Sequence, residues 1–187
     1  AAPDNPDALD ILAATQWRQG KIDDALANLE KAFDKSPQNV KAAFYLAKAK
    51  TAKGDLAGAE EALKKLVRQS PQSVAAALTL AQFYVRTGKK ADGEAQVRRA
   101  LQLDSKDPSA LLLLAALQKD GGQSDQAEQT YRTLSGGPEE EFRSLYAIFL
   151  FQEGKRSQAV SELEKLVKQY PDNRSFRGFL VSAYVAQ

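Results

Sequence analysis

The segment Ala43–Gln72 reads AFYLAKAKTAKGDLAGAEEALKKLVRQSPQ, and its pattern decides the fold. Apolar residues recur at three- and four-residue spacing on both sides of Gly54, which predicts two amphipathic helices. Gly54 stands where the first helix must end and the chain must reverse. The second helix ends before Pro71, as a helix should near proline. The segment therefore predicts a hairpin of two antiparallel helices.

The same hairpin recurs along the chain. Lining up the turn glycines, which are spaced 34, 34, 34 and 32 residues apart, makes further columns of similar residues appear. The turn glycines are Gly20, Gly54, Gly88, Gly122 and Gly154. Seven residues before them stand Ala13, Ala47, Ala81, Ala115 and Ala147. Five residues after them stand Ala25, Ala59, Gly93, Ala127 and Ala159.

Larger residues form the other columns. Eight residues before the glycines lie Leu12, Leu46, Leu80, Leu114 and Tyr146; nine after lie Leu29, Leu63, Val97, Tyr131 and Leu163; twelve after lie Ala32, Leu66, Ala100, Leu134 and Leu166. We expect the small columns to let the two helices of a pair approach closely and the large columns to fill the space between neighbouring pairs.

The sequence also predicts where the helices begin. Candidate N-caps are Asn5, Asn39, Ser73, Asp107 and Asn173. The fifth hairpin instead begins with Pro138 followed by Glu139, Glu140 and Glu141, a proline and acids that favour a helix start at this point.

These columns resemble the tetratricopeptide repeat, a 34-residue helix–turn–helix unit. The resemblance implies an all-α, right-handed α-solenoid of antiparallel helix pairs, a single array over residues 1–187. Its repeats would span about 6–39, 40–73, 74–107, 108–138 and 139–173, with a final helix at 174–186. Three departures stand out: Gly93 replaces alanine, Arg143 takes a place usually large and apolar, and Ser135–Pro138 is a shortened junction.

The amino-acid composition excludes several classes of catalytic and metal site. The chain of 187 residues contains no His and no Cys, which excludes a Ser-His-Asp triad, a Cys nucleophile and a Cys/His zinc site. We therefore expect no catalytic activity, no metal and no cofactor. A net charge of +2 gives no broad electrostatic footprint for nucleic acid, so no nucleic-acid partner is expected.

Membrane insertion is not expected either. The longest apolar run, Leu111–Leu117, is seven residues, whereas a spanning helix needs roughly 20. The first ten residues carry prolines and acids where a secretory signal would be basic and apolar. The chain contains no Met, so we expect a segment or a processed form.

Three other patterns have a structural interpretation. The glycine pairs in Asp120–Asp125 and Ser135–Glu140 lack the strand and Lys of a phosphate-binding loop, so they are interpreted as helix–helix turns. The paired acids, such as Glu60–Glu61, are interpreted as solvated charges on helix surfaces, and the paired bases, such as Lys64–Lys65, likewise.

The resemblance implies that the first helix of each repeat lines a concave groove that binds extended peptides or helices. The groove positions lie ten, six and three residues before each glycine. From these positions we predict a partner-binding groove formed by Trp17, Phe44, Lys48, Leu78, Gln82, Leu112, Ile148 and Phe151. Packing against the neighbouring repeat is the alternative explanation for the apolar members, and Trp17 fits either a groove anchor or a cover over the array end.

The predicted groove lacks the residues of a carboxylate clamp, a ligand-binding motif of one subgroup of the family. A family subgroup grips the C-terminal carboxylate of a peptide with Lys and Asn from successive first helices, and the corresponding places here hold Asp10, Ala14, Phe44 and Lys48. With one Lys and no Asn, a carboxylate clamp is not expected. An apolar floor flanked by Lys41, Lys48, Gln82 and Arg86 better suits an amphipathic or extended segment.

We therefore predict a protein–protein interaction scaffold. The alanine- and glutamine-rich, Cys-free composition looks like bacterial repeat arrays, many of which are scaffolds in cell-envelope assembly or exopolysaccharide export. By that analogy a periplasmic or envelope location is favoured over the cytoplasm. Two alternatives stay open: a structural spacer that self-associates through the array ends, and an enzyme or an accessory domain that modulates one.

Overall fold

A computed structural model describes residues 5–186, which form eleven α-helices and one 3₁₀ turn, with no strand in that range. The chain divides into two compact bodies, Ala1–Leu103 and Asp104–Gln187, here called the N-terminal body and the C-terminal body. Between residues 5 and 186, no helix is long and apolar enough to cross a membrane.

The N-terminal body contains three antiparallel helix pairs, and in each pair the first helix packs along the second. The helices are α1 (Pro6–Arg18), α2 (Ile22–Lys35), α3 (Val40–Ala52), α4 (Leu56–Gln69), α5 (Val74–Arg86) and α6 (Lys90–Leu103).

The C-terminal body contains two further pairs and a last helix that packs on α10. The helices are α7 (Pro108–Asp120), α8 (Ser124–Ser135), α9 (Leu145–Gln152), α10 (Arg156–Gln169) and α11 (Arg174–Val185).

The small columns form the contacts inside each pair, as predicted. All five alanines seven residues before a turn glycine are at most 2% exposed, and the four alanines five residues after are fully buried. In the large columns twelve of the fifteen residues are buried and Tyr131 and Leu166 are half-buried, whereas Leu12, which was expected to be buried, is 46% exposed. That prediction is wrong because a large-column residue needs a neighbouring pair on its side, and within the described residues α1 has a neighbouring pair on one side only.

The five turn glycines end their helices in the same way. Each has a φ between +73° and +81°, a left-handed conformation that a Cβ disfavours. At Gly54, the Asp55 N–H donates to the Lys50 carbonyl and the Gly54 N–H donates to the Thr51 carbonyl, the pair of hydrogen bonds of a Schellman cap. The glycines are therefore required by the backbone of the turn.

Four predicted N-caps are confirmed. The side chains of Asn39, Ser73, Asp107 and Asn173 each accept a hydrogen bond from the backbone N–H three residues later, at 2.7–3.1 Å. Each satisfies a donor that the first helical turn would otherwise leave without a partner. The predicted cap at Asn5 stays a prediction.

The fifth hairpin differs from the prediction. Its first α-helix begins at Leu145, and a 3₁₀ turn, Glu140–Phe142, precedes it. In a continuous helix the Tyr146 N–H would donate to the Phe142 carbonyl. Instead the Ser135 hydroxyl lies between them, accepting from the Tyr146 N–H at 3.0 Å and donating to the Phe142 carbonyl at 2.8 Å. A side chain inserted into the helical hydrogen-bond ladder breaks the helix at this point.

The other departure in this hairpin also has a structural account. Arg143 stacks its guanidinium over the Tyr170 ring, 4.4 Å from the ring centroid, and donates to the Pro138 carbonyl at 3.0 Å. A cation that is half-buried against an aromatic ring and a carbonyl replaces the apolar residue expected there.

The interpretation of Glu60 as a solvated surface acid is wrong. Its side chain is 17% exposed and binds Lys64 Nζ at 2.6 Å in its own helix and Lys89 Nζ at 2.5 Å in the next repeat. Hydrogen bonds from Lys64 and Lys89 lower the pKa of Glu60 to about 2. Glu128 and Lys155 repeat the inter-repeat pair at 2.5 Å in the C-terminal body. These pairs link consecutive repeats.

The replacement of alanine by glycine at position 93 is explained by a contact with the partner helix. A Cβ built on Gly93 would lie 2.8 Å from Val85 Cγ2 and 3.3 Å from the Ala81 carbonyl oxygen. Val85 is branched at Cβ and cannot turn its methyl away freely. The place that holds alanine in the other repeats is therefore filled here by a side chain of the partner helix.

We expect Gly93→Ala to lower the free energy of unfolding by about 1 kcal/mol, because the clash outweighs alanine's helix preference of about 1 kcal/mol. In a Val85→Ala background the same change should be neutral or stabilising. Urea unfolding of the four members of this double-mutant cycle measures both effects. An equal effect of Gly93→Ala in the two backgrounds would contradict the explanation.

Candidate peptide-binding groove

The predicted groove positions lie on the first helices of the pairs, but they differ in exposure. Phe44 is 38% exposed, whereas Leu78, its counterpart one repeat later, is 7% exposed. Lys48 and Gln82 are exposed, and Leu112 is half-buried. The row of large apolar residues is therefore not uniformly available to a ligand.

The N-terminal body has a pocket of about 200 Å³ at the predicted groove between α1 and α3. Two predicted residues, Trp17 and Lys48, line it and contact each other, with the Lys48 ammonium 5.8 Å from the centroid of the Trp17 ring. The remaining lining residues are Ala13, Ala14, Arg18, Leu29 and Tyr45. Two cations and two aromatic rings therefore surround a small apolar floor.

Trp17 has a structural role as well. It is half-buried and packs against the hydrophobic core of the N-terminal body. The same ring therefore supports α1 and forms one wall of the pocket.

Tyr45 was not among the groove residues predicted from the sequence. It is 37% exposed, and its ring meets the Phe44 ring edge-on with centroids 5.3 Å apart. Tyr45 stands nine residues before its turn glycine, a column that was not assigned to the groove. The C-terminal body repeats this omission, since Phe179 lies 34 residues after Leu145 of the same column. Tyr45 could have been found by inspecting the column nine residues before each turn glycine for aromatic residues, and Phe179 by continuing that column into the last helix.

The C-terminal body has its own apolar cavity of about 440 Å³ between α9 and α11. Two predicted residues, Ile148 and Phe151, line it. The guanidinium of Arg156 lies 6.0 Å from the Phe151 ring centroid. The other lining residues are Ala147, Gln152, Leu163, Phe179, Ser182, Ala183 and Ala186.

A second cavity of about 770 Å³ adjoins the first, because Ile148 and Phe179 line both. It is bordered by Glu139, Glu140 and Glu141, which precede the broken helix start. We call the two cavities together the C-terminal groove.

The geometry thus combines first helices, exposed aromatic rings and open apolar cavities in each body. Three family models described as tetratricopeptide repeat match the sequence, the first over residues 12–74 and 78–140, the second over 50–100 and the third over 145–173. The chain belongs to the tetratricopeptide repeat family. Its fold is accordingly the α-solenoid predicted from the sequence.

Several solved structures have similar folds. Yeast Tom70 is 16% identical with a TM-score of 0.75, and the match covers 98% of this chain and 41% of that chain. A tetratricopeptide repeat protein from Parabacteroides merdae is 24% identical with a TM-score of 0.63, covering 100% of this chain and 74% of that chain. No curated protein matches the sequence.

YrrB, whose structure is described as a tetratricopeptide repeat protein with an unusual peptide-binding site, is 15% identical with a TM-score of 0.59. That match covers 98% of this chain and 93% of that chain. At these identities the structures show the shared fold. Membership of the family supports a protein-interaction scaffold.

Proposed function

We propose that this tetratricopeptide repeat chain binds a peptide or helix of a partner protein in the groove lined by its first helices. The pocket between α1 and α3 carries the proposal, because it exposes aromatic surface at Trp17 and Tyr45 beside the Lys48 ammonium. Aromatic side chains of this kind provide large contact areas at little conformational cost and dominate many interfaces.

We further propose that the chain is a segment of a larger bacterial assembly or export protein. The alanine- and glutamine-rich composition without Cys supports this, by likeness to bacterial repeat arrays. A periplasmic or envelope location accompanies this proposal.

Substituting three exposed groove residues tests peptide binding in the N-terminal body. In the variant Phe44→Ser/Tyr45→Ser/Lys48→Glu, we expect capture of the partner from a native lysate to fall at least about tenfold. Helical content should stay unchanged, because all three side chains are exposed. Quantitative mass spectrometry of the captured proteins and circular dichroism at 222 nm provide the two readouts.

Leu56→Ser is the matched control. Leu56 is 47% exposed on α4 and does not line this pocket, so its variant should capture the partner as the original chain does. Equal capture by all three proteins would exclude the pocket between α1 and α3 as the binding site.

Self-association is a second candidate function, favoured by exposed apolar residues on α1 and α11. Ile11 is 67% exposed on α1, and Val181 and Val185 are 61% and 84% exposed on α11. Sedimentation velocity distinguishes this function from peptide binding, because the mass of a self-associating spacer rises with concentration. In such a spacer, substitution of the groove residues would leave partner capture unchanged.

A further inference from the structure

The C-terminal groove has two chemically different ends. Its apolar end is formed mainly by Ala147, Phe151, Leu163 and Ala183, and its other end is bordered by three consecutive glutamates. Phe179 is 40% exposed and lies where the two ends meet. A ligand that fills this groove must therefore combine apolar side chains with a group suited to carboxylates.

The three glutamates lack cationic partners among residues 5–186. None of Glu139, Glu140 and Glu141 is in an ion pair there; Glu140 accepts one hydrogen bond from Asn173 Nδ2 at 2.6 Å. No basic residue lines either cavity of the groove.

Basic side chains near this end are engaged elsewhere or lie outside the groove. The guanidinium of Arg143 is held by the Tyr170 ring and the Pro138 carbonyl. Arg177 donates to the Pro171 carbonyl at 2.8 Å, and Arg174 at the start of α11 lines neither cavity. Lys106 lines a separate cavity beside Glu139 without forming an ion pair with it. No ion pair within the described part of the chain therefore neutralises the three glutamates.

A serine hydroxyl lies at the same end of the groove. Ser144 is 6% exposed and lines the acidic cavity. Its hydroxyl caps no helix and forms no hydrogen bond to another described residue. A hydroxyl that lines a cavity and has no partner within the described part of the chain is available to hydrogen-bond a backbone group of a ligand.

The break in the first helix of this repeat accounts for this arrangement. Because the Ser135 hydroxyl separates the Tyr146 N–H from the Phe142 carbonyl, the residues before Leu145 leave the helical path. The glutamates and Ser144 lie in this segment and line the cavity. No other repeat in the described range has a broken first helix.

We propose that the C-terminal groove binds a cationic, apolar peptide segment of a partner protein. The apolar side chains of the segment fill the cavity along Phe151 and Phe179, and a neighbouring Lys or Arg pairs with Glu139 and Glu141. This proposal rests on the proposed function and specifies the chemistry of its ligand. Among the described residues, the pocket of the N-terminal body is lined by Arg18 and Lys48, which carry the opposite charge.

A random library of 12-residue peptides displayed on phage provides the probe, and the complete chain is the target. Selections are run on the unsubstituted chain, on Glu139→Lys/Glu141→Lys, and on the control Asp125→Lys/Glu162→Lys. The control makes the same charge change in the same body at residues that do not line the groove. Sequencing then identifies peptides retained by the first and third proteins and lost by the second.

We expect these peptides to be rich in apolar residues and to carry Lys or Arg, with binding weakened about tenfold or more by Glu139→Lys/Glu141→Lys. Raising the salt concentration should weaken binding further. If no peptide depends on Glu139 and Glu141, the proposal of a cationic ligand is overturned.

A third variant separates this failure from failure of the proposed function. Ile148→Ala/Phe179→Ala removes apolar surface that both cavities share. Peptides lost by this variant but kept by Glu139→Lys/Glu141→Lys would preserve peptide binding and overturn only the charge preference. If no peptide depends on either variant, the C-terminal groove is not a peptide site and both proposals fail for this body.

Discussion

Replacing Phe149 by alanine is expected to lower the free energy of unfolding by about 3–5 kcal/mol, the cost of removing a buried aromatic side chain. Phe149 is 2% exposed and stacks on Tyr131 with ring centroids 4.9 Å apart. The substitution leaves a cavity between α8 and α9 and removes the ring contact, which is worth about 1 kcal/mol by itself. Urea unfolding followed by circular dichroism at 222 nm measures the change.

Phe179→Ala is the matched control, because it removes the same side chain from the same body. Phe179 is 40% exposed at the border of the groove, so its loss should cost less than about 1.5 kcal/mol. Equal destabilisation by the two substitutions would mean that the rings of α9 and α11 are buried alike. The exposed surface proposed at Phe179 would then not exist.

The helix pairs and their turns were predictable because their causes are local. Helical periodicity is read from a few consecutive residues, and Gly54 is required by a left-handed turn within its own hairpin. The cap at Asn39 likewise needs only the N–H of Ala42, three residues away. Repetition of the same columns then made the solenoid predictable.

The exposure of the groove residues was predictable only in part, because it depends on side chains of neighbouring helices. A single column of aligned positions does not specify those side chains. Phe44 and Leu78 occupy the same place in consecutive repeats, yet one is exposed and the other buried. The break before Leu145 depends on the hydroxyl of Ser135, from the preceding helix. Glu60 was misinterpreted for the same reason, because its partner Lys89 lies in the next repeat.

Replacing Leu78 by aspartate is expected to lower the free energy of unfolding by at least about 3 kcal/mol, since a carboxylate would take the place of a buried apolar side chain. Leu78 is 7% exposed, so the new carboxylate could not reach water without displacing its surroundings. Urea unfolding again measures the effect. Any loss of partner binding in this variant would then follow from unfolding and would not report on the groove.

Gln82→Asp is the control, one turn later on α5 at an exposed groove position. An exposed carboxylate on a helix surface should change the free energy of unfolding by less than about 0.5 kcal/mol. If Leu78→Asp were equally harmless, Leu78 would be accessible, and a continuous apolar row through Phe44 and Leu78 would again describe the groove. With the expected difference, ligand contacts in the N-terminal body are confined to exposed positions such as Phe44, Tyr45 and Lys48.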